Sequence, residues 1–540
     1  MVTYTRANAW NNGGTFANTD LLWYAKGVGA MQARAIGDPA SWWFFAAMHG
    51  QYLQDPKVPI YLANGWGAIP SPPTVPLANY QPPSSTQFWD QCQHQTWFFA
   101  PWHRGYLLAL EAQVRADVAS LGGPPTWALP YWDYFGDTKQ YKQYSIPPAF
   151  TQLNMPDGSS NPLYVAARYG PDGSGTDIYV PTAEAIKDHP KNPPRGKVTQ
   201  DCMCNTVFKG DETTAEFGGP DTTTLGCFWH GGGKSGLLEN DPHNLVHNYV
   251  GGPNTEGLMG DPGLAALDPI FYLHHANIDR MWAGWNDVLG NANPTDPNWL
   301  NGPAACGDAV FVMPMPGPNS WVYTPQQVNS LSQLNYNYES FASLPKCVPP
   351  SVQLAGRLAK LGASIAAEKV KAGTTVNIGR KVELVGASQG AVKVKGSMVQ
   401  TSVKFDPSVR NKVSTSLAAA SETAPPDRIF LNLENIQGTQ NATVLAVYLN
   451  LPEGANPNDH PELLAGSVGL FGLRGASAPD GRHGGQGLSF TLEITNIVDA
   501  LHLDNKLDQD SLQVTVVPSR PLPELSPITI GRISIYRKGN

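Results

Sequence analysis

Residues 239–247 read ENDPHNLVH, and residues 268–282 read DPIFYLHHANIDRMW. In the first, His243 and His247 stand four apart on a segment of helical character, so their side chains leave one face a single turn apart. In the second, His274 and His275 lie on another apolar stretch of helical spacing. An isolated i, i+4 histidine pair is most simply two surface residues, but this pair has company. His49, His94 and His103 sit upstream in Trp- and Phe-rich surroundings, and nine of the twelve histidines precede residue 276. Neutral imidazoles without a thiolate-rich set suit copper or zinc rather than magnesium or calcium. A structural zinc is closed by four ligands, whereas two sets of three histidines leave positions at which an exogenous molecule can bridge two ions. The residues therefore predict a metal centre with open positions, and open positions serve chemistry or gas binding.

Around these segments the chain divides in two. Residues 20–34, 39–53 and 103–121 repeat apolar side chains at helical spacing, and 242–249 and 268–288 do so again on either side of a Gly-rich stretch. This predicts a mainly helical core, with a four-helix bundle as its natural frame. Long loops rich in Pro, Gly, Asn and Thr are expected at 62–87 and 145–225. After about residue 345 aromatics thin out and alternation takes over, in TTVNIGRKVELVG, AVKVKGSMVQTSVKF, RIFLNLENI, TVLAVYLNL, LSFTLEITNIV, LQVTVV and TIGRISIYR. The predicted class is α + β multidomain. A helical domain spans 1–348 and a β-rich, sandwich-like domain spans 349–540, with linker-like segments near 349–372 and 416–427. No repeat of 20 to 50 residues is visible, which excludes a solenoid or propeller.

Composition sets the outer limits. With 15% charged residues and a formal net charge of -8, the 540-residue chain suits neither a nucleic-acid binder nor a disordered tail. No window reaches about 18 consecutive apolar residues, so no membrane span is expected. The start, MVTYTRANAWNNGG, lacks a basic stretch followed by an apolar run, so a cytoplasmic location is expected. Six cysteines are too few for a disulfide scaffold. Most are expected as buried thiols; for the close pair Cys202 and Cys204, a disulfide or free thiols are favoured over a role in copper loading.

The chain resembles the type 3 (dinuclear) copper proteins of the tyrosinase and polyphenol oxidase family. The likeness covers roughly residues 40–345 and rests on WFFAAMHG (43–50), CQHQTWFFAPWHRGYLLALE (92–111), LPYWDY (129–134), ENDPHNLVH, DPIFYLHHANIDRMW and NYNYES (335–340), in the family's order. It implies two copper ions, the first held by His49, His94 and His103, the second by His243, His247 and His275, with His274 a neighbour. It also implies a thioether between Cys92 and His94, and an aromatic, Phe271, packed over the site. Asp279 and Arg280 are expected to form a structural charge pair, as is Arg104 with an acidic partner. Tyr336 and Tyr338 match the motif that closes the family's catalytic core.

The activity the resemblance implies uses O2 to hydroxylate monophenols to o-diphenols and to oxidise o-diphenols to o-quinones. Phenolic substrates such as tyrosine, tyramine, DOPA and catechols are expected. Glu239 and Asn244 match the pair that holds a water for phenol deprotonation, which favours a tyrosinase over a catechol or o-aminophenol oxidase or a haemocyanin-like oxygen carrier. The gate residue of the plant enzymes falls near Pro262, implying more open access. The segments RIFLNLENI (428–436), VLAVYLNLPEG (444–454) and LLAGSVGLFGL (463–473) look like the C-terminal domain that keeps plant polyphenol oxidases latent. A lid side chain from loops 450–466 or 470–488 would then occupy the substrate position. His460, His483 and His502 read as surface residues.

Overall fold

The computed structural model describes residues 3–539 apart from 36, 51–87, 89–90, 190–195, 212, 222–233, 253–256, 303–310, 363–381, 440–442, 480–483, 508–509 and 526. The loop expected at 62–87 lies outside the described residues, as do Cys227, Cys306 and His483.

The first half is built on helices α1 (Thr19–Gln32), α2 (Trp42–His49), α3 (Phe99–Ser120), α4 (Leu245–Gly251) and α5 (Ile270–Ala283). Asn18 caps α1 by accepting the Asp20 N–H, and Ser41 Oγ accepts the Phe44 N–H at the start of α2. Every residue of α2 and of α5 is buried, which places both helices at the centre of the core. Helix α3 packs on α1 along one side and on α5 along the other. The helices range from seven to 22 residues and are separated by wide insertions, so the arrangement is a helical core rather than a regular four-helix bundle. The 145–225 region forms long loops, as expected, held by buried side chains. Arg168 is the main tie: it reaches Asp268 at 2.8 Å and the carbonyls of Phe150 and Leu163 at 2.6 and 2.9 Å.

Strand β1 (Tyr4–Arg6) pairs in parallel with β2 (Tyr336–Tyr338), joining the start of the chain to the end of the helical half. Arg6 follows this pairing inward and is fully buried between Glu111 and Asp279. A disulfide links Cys204 to Cys347, which answers the Cys202/Cys204 question: Cys204 pairs across the fold, and Cys202 is a buried thiol.

The second half is one antiparallel sheet of nine strands with its own apolar core: β3 (Val382–Ser388), β4 (Val392–Val394), β5 (Val399–Phe405), β6 (Arg428–Gln437), β7 (Val444–Leu449), β8 (Leu464–Gly469), β9 (Leu488–Glu493), β10 (Ser511–Pro518) and β11 (Ile528–Lys538). The order is β8-β7-β10-β5-β3-β11-β6-β9, with β4 also on β11. The end strands β8 and β9 come together, so the sheet is nearly closed and barrel-like instead of a two-layer sandwich. Closure removes exposed edges, a gain the alternation pattern alone cannot reveal.

Three sequence expectations need correction here. Part of the supposed linker at 349–372 is helix α6 (Pro350–Lys360), which buries Leu358 and docks through Arg357 onto Asp499 at 2.7 Å. The 416–427 segment is no linker either: it ends helix α7 (Pro407–Ala418), buries Leu417 and Ala420, and gives the Pro426 and Asp427 carbonyls to Arg357. In LSFTLEITNIV only the first half is strand; the second begins helix α9, which follows α8 (Leu473–Ser477) and spans Thr495–Leu503.

Candidate metal centre

The predicted histidines gather in two buried clusters. His49 ends α2, His94 precedes α3 and His103 lies on it; His243 stands in the kinked turn before α4, His247 on α4, and His274 and His275 on α5. In each of two sets, His49/Cys92/His94/His103 and His243/His247/His274/His275, one nitrogen or sulfur per residue lies within 4.8 Å of all the others. The sets face each other: His103 stacks on His275 at 4.7 Å between ring centroids, and His94 lies 5.6 Å from His243.

Five of the outer nitrogens are anchored, while His275 Nδ1 has no hydrogen-bond partner among the described residues. His49 Nδ1–H donates to the Pro262 carbonyl (2.9 Å), His103 to Phe99 (2.8 Å) and His247 to Met259 (2.8 Å). His94 donates to Glu239 Oε1 (3.1 Å) and His243 to Asn244 Oδ1 (2.9 Å). Those bonds fix the tautomer, leaving each Nε2 as a bare acceptor turned inward. His49 and His94 bring their Nε2 atoms to 3.3 Å, while His275 Nε2 stands 3.2 and 3.3 Å from those of His243 and His247. His103 Nε2 has no hydrogen-bond partner among the described residues. Burial lowers the pKa of His49 to about 4 and pushes those of His103, His243, His247 and His275 well down, keeping the rings neutral and able to ligate. Converging lone pairs of neutral imidazoles repel unless a cation sits among them. Two sets of such donors fit a pair of copper ions.

Neighbouring residues shape these sets. Phe271 packs on His275 at 4.1 Å and on His49 at 4.7 Å, touching both clusters. His274 stacks on His243 with its Nδ1 at 3.4 Å from the Tyr134 hydroxyl. The Glu239 carboxylate also accepts the Gln95 N–H at 2.9 Å; burial nevertheless raises its pKa to about 8. Asp279 and Arg280 do not pair with each other, because neighbours on a helix point in different directions. Asp279 takes Arg6 and Arg104 together with the hydroxyls of Tyr336 and Tyr338, whereas Arg280 takes Asp133 at 2.8 Å. Burial alone would raise the Asp279 carboxyl, but Arg104 and Arg6 outweigh it and hold it below the usual range.

One side chain of the second half reaches the centre. Phe471, between β8 and α8, is buried, stacks on His247 at 4.1 Å, and lies 5.9 Å from both His94 and His243. Of the two lid loops left open by the sequence, 470–488 is therefore the one at the metal centre. Phe471 sits between Leu470 and Gly472 in a Gly-rich stretch, where a lone aromatic was the available signal.

A family model described as the common central domain of tyrosinase matches residues 39–288, the part that carries all six predicted ligands. Residues 39–288 thus form a domain of the tyrosinase and polyphenol oxidase family. The family's type 3 copper centre accounts for the two histidine clusters, and its chemistry is copper-dependent oxidation of phenols. A further family model, described only as a domain of unknown function, matches residues 381–538. A tyrosinase of Hahella sp. (strain CCB-MM4) is 28% identical over 523 residues, 96% of each chain. The latent form of a polyphenol oxidase of Prunus armeniaca is 30% identical over 266 residues, 47% of this chain and 39% of that one. Among solved structures, a latent aurone synthase has a TM-score of 0.58 at 20% identity, covering 100% of this chain and 90% of that chain. Latent apple tyrosinase has a TM-score of 0.56 at 21% identity, covering 99% and 97%. The tyrosinase core is thus followed by a C-terminal domain of the kind found in those latent relatives.

Proposed function

We propose that this member of the family is a tyrosinase that hydroxylates monophenols, oxidises the resulting o-diphenols to o-quinones, and stays latent while its C-terminal domain is docked. In this reading His49, His94 and His103 hold one copper and His243, His247 and His275 the other. Bound copper supplies the activation of dioxygen. The observation that carries the reading is the inward convergence of the imidazoles with Phe471 stacked over His247.

The chain's own residues divide the remaining work. Phe271 packs on His49 and His275 between the two clusters, and the backbone and side-chain acceptors keep the Nε2 atoms of His49, His94, His103, His243 and His247 turned inward. Glu239 and Asn244 lie beside His94 and His243, where a carboxylate and an amide can hold the water that takes the phenol proton. Phe471 occupies the place where a substrate ring would stack on His247, so a phenol reaches the metals only after that ring withdraws. The full-length relative named a tyrosinase supports hydroxylation over diphenol oxidation alone.

The test is oxidation of L-tyrosine and L-DOPA by the copper-loaded chain, before and after limited proteolysis or mild detergent. Turnover of both substrates, rising after treatment, is the expected result. DOPA oxidation without tyrosine hydroxylation would replace the reading with a catechol oxidase. Oxygen binding without turnover, even after the lid is cut away, would replace it with an oxygen carrier.

A further inference from the structure

The two metal half-sites share one short loop. Met259 supplies the carbonyl that orients His247, and Pro262, three residues on, supplies the carbonyl that orients His49. In the ligand assignment proposed above, on which this inference rests, those histidines serve different copper ions. The loop is also packed hard against the first half-site: a Cβ on Gly50, next to His49, would lie 2.4 Å from the Pro262 carbonyl oxygen and 2.3 Å from Gly263 Cα.

Asp261 sits between the two carbonyls and organises the loop. Its Oδ1 accepts the Gly263 N–H at 2.8 Å, and its own carbonyl accepts the N–H groups of Leu264 and Ala265 at 3.0 and 2.8 Å. Its Oδ2 accepts Arg474 Nη2 at 2.7 Å, and the pair is largely removed from solvent. Arg474 belongs to α8, three residues after Phe471, so the tie comes from the lid. Gly472 makes the close approach possible: its φ is +81°, and a Cβ there would meet Pro262 Cγ at 3.1 Å.

We propose that Arg474 is a positioning residue through which the docked C-terminal domain tightens the hold of both half-sites on copper. Docking the lid fixes Asp261, Asp261 fixes the loop, and the loop aims one imidazole of each set. By linkage the effect runs both ways: copper binding also favours the docked lid. The lid is then part of the metal site's support as well as its cover, and opening it for catalysis loosens copper.

The experiment uses the full copper-loaded chain and follows copper transfer to a competing chelator by absorbance, independently of activity. Arg474→Met and Asp261→Asn should each release copper about tenfold faster than the parent, the lower end of what loss of a ligand-orienting contact costs. Arg474→Lys should restore part of the hold. Phe471→Ala, which loosens the plug and leaves the clamp, should release copper at the parental rate. In limited proteolysis, copper should slow cleavage of the parent's lid and have a smaller effect on Arg474→Met. Equal release from the parent, Arg474→Met and Asp261→Asn would overturn the proposal, as would release from Phe471→Ala as fast as from Arg474→Met, because solvent access would then be the cause. A parent chain that fails to take up two coppers would instead bring down the ligand assignment, and this inference with it.

Discussion

His94 and His243 draw their orientation from side chains, Glu239 and Asn244, whereas His49, His103 and His247 draw theirs from backbone carbonyls. Only the first kind of anchor can be edited without moving the chain. Glu239→Gln should depress tyrosine hydroxylation more than DOPA oxidation if Glu239 holds the deprotonating water. Equal loss of both would mean that it only orients His94. Replacing His243 or His247 by Ala should remove about one copper per chain, read by metal analysis; full retention of both ions would refute the assignment. Phe471→Ala should raise DOPA oxidation by the uncut chain about tenfold or more, an increase that a purely structural Phe471 would not produce. The clustering of these histidines was legible because spacing and residue type both constrain a metal site. Their backbone anchors were not, since a carbonyl at Met259 or Pro262 carries no mark in the sequence.

At the scale of elements, the helices near the site were readable from periodicity, and errors arose where a short segment obeys its tertiary neighbours. LSFTLEITNIV alternates only as far as Thr495, where it turns to helix and the Thr495 hydroxyl bridges Glu493 and the Ile429 N–H, ending the strand pairing. The 349–360 stretch looked like a linker because its one strong anchor, Arg357 on Asp499, lies 142 residues away. The Cys204–Cys347 bridge spans 143 residues and ties the last segment of the helical half to the loop before the second cluster. Replacing both cysteines by Ser should cost about 2–5 kcal/mol, measured as a lowered unfolding midpoint of the core in denaturant.

For the whole molecule, docking of the two halves joins Phe471 and the Arg474–Asp261 pair to a polar seam. Lys538 reaches Asp211 at 2.7 Å, Arg428 reaches Glu216 at 3.3 Å, and Asn240 donates to the Ser467 carbonyl at 3.1 Å. Burial works to raise the Asp211 carboxyl, but hydrogen bonds from Lys538 and Thr213 outweigh it and hold it well below the usual carboxylate range. Its contribution to docking is therefore complete above about pH 4, the ordinary carboxylate value, and is lost as the pH falls below that. Lid cleavage by an acid-tolerant protease should speed up across that range in the parent, while Asp211→Asn should be cleaved faster at neutral pH and respond less to acid. A chain ending near residue 348 should fold and be more active than the whole; a folded but no more active product would remove the lid's regulatory role. The sequence by itself determined the change from helical to β-rich character, the helical core and the histidines that cluster in it, because apolar periodicity and ligand chemistry are local properties of residue type. Only the tertiary structure decided that Phe471 is the side chain stacked on His247, that the β-rich half closes into a barrel-like sheet, and that Asp279 pairs with Arg6 and Arg104. Each of those depends on which distant surfaces meet, and that is settled by packing the whole chain at once.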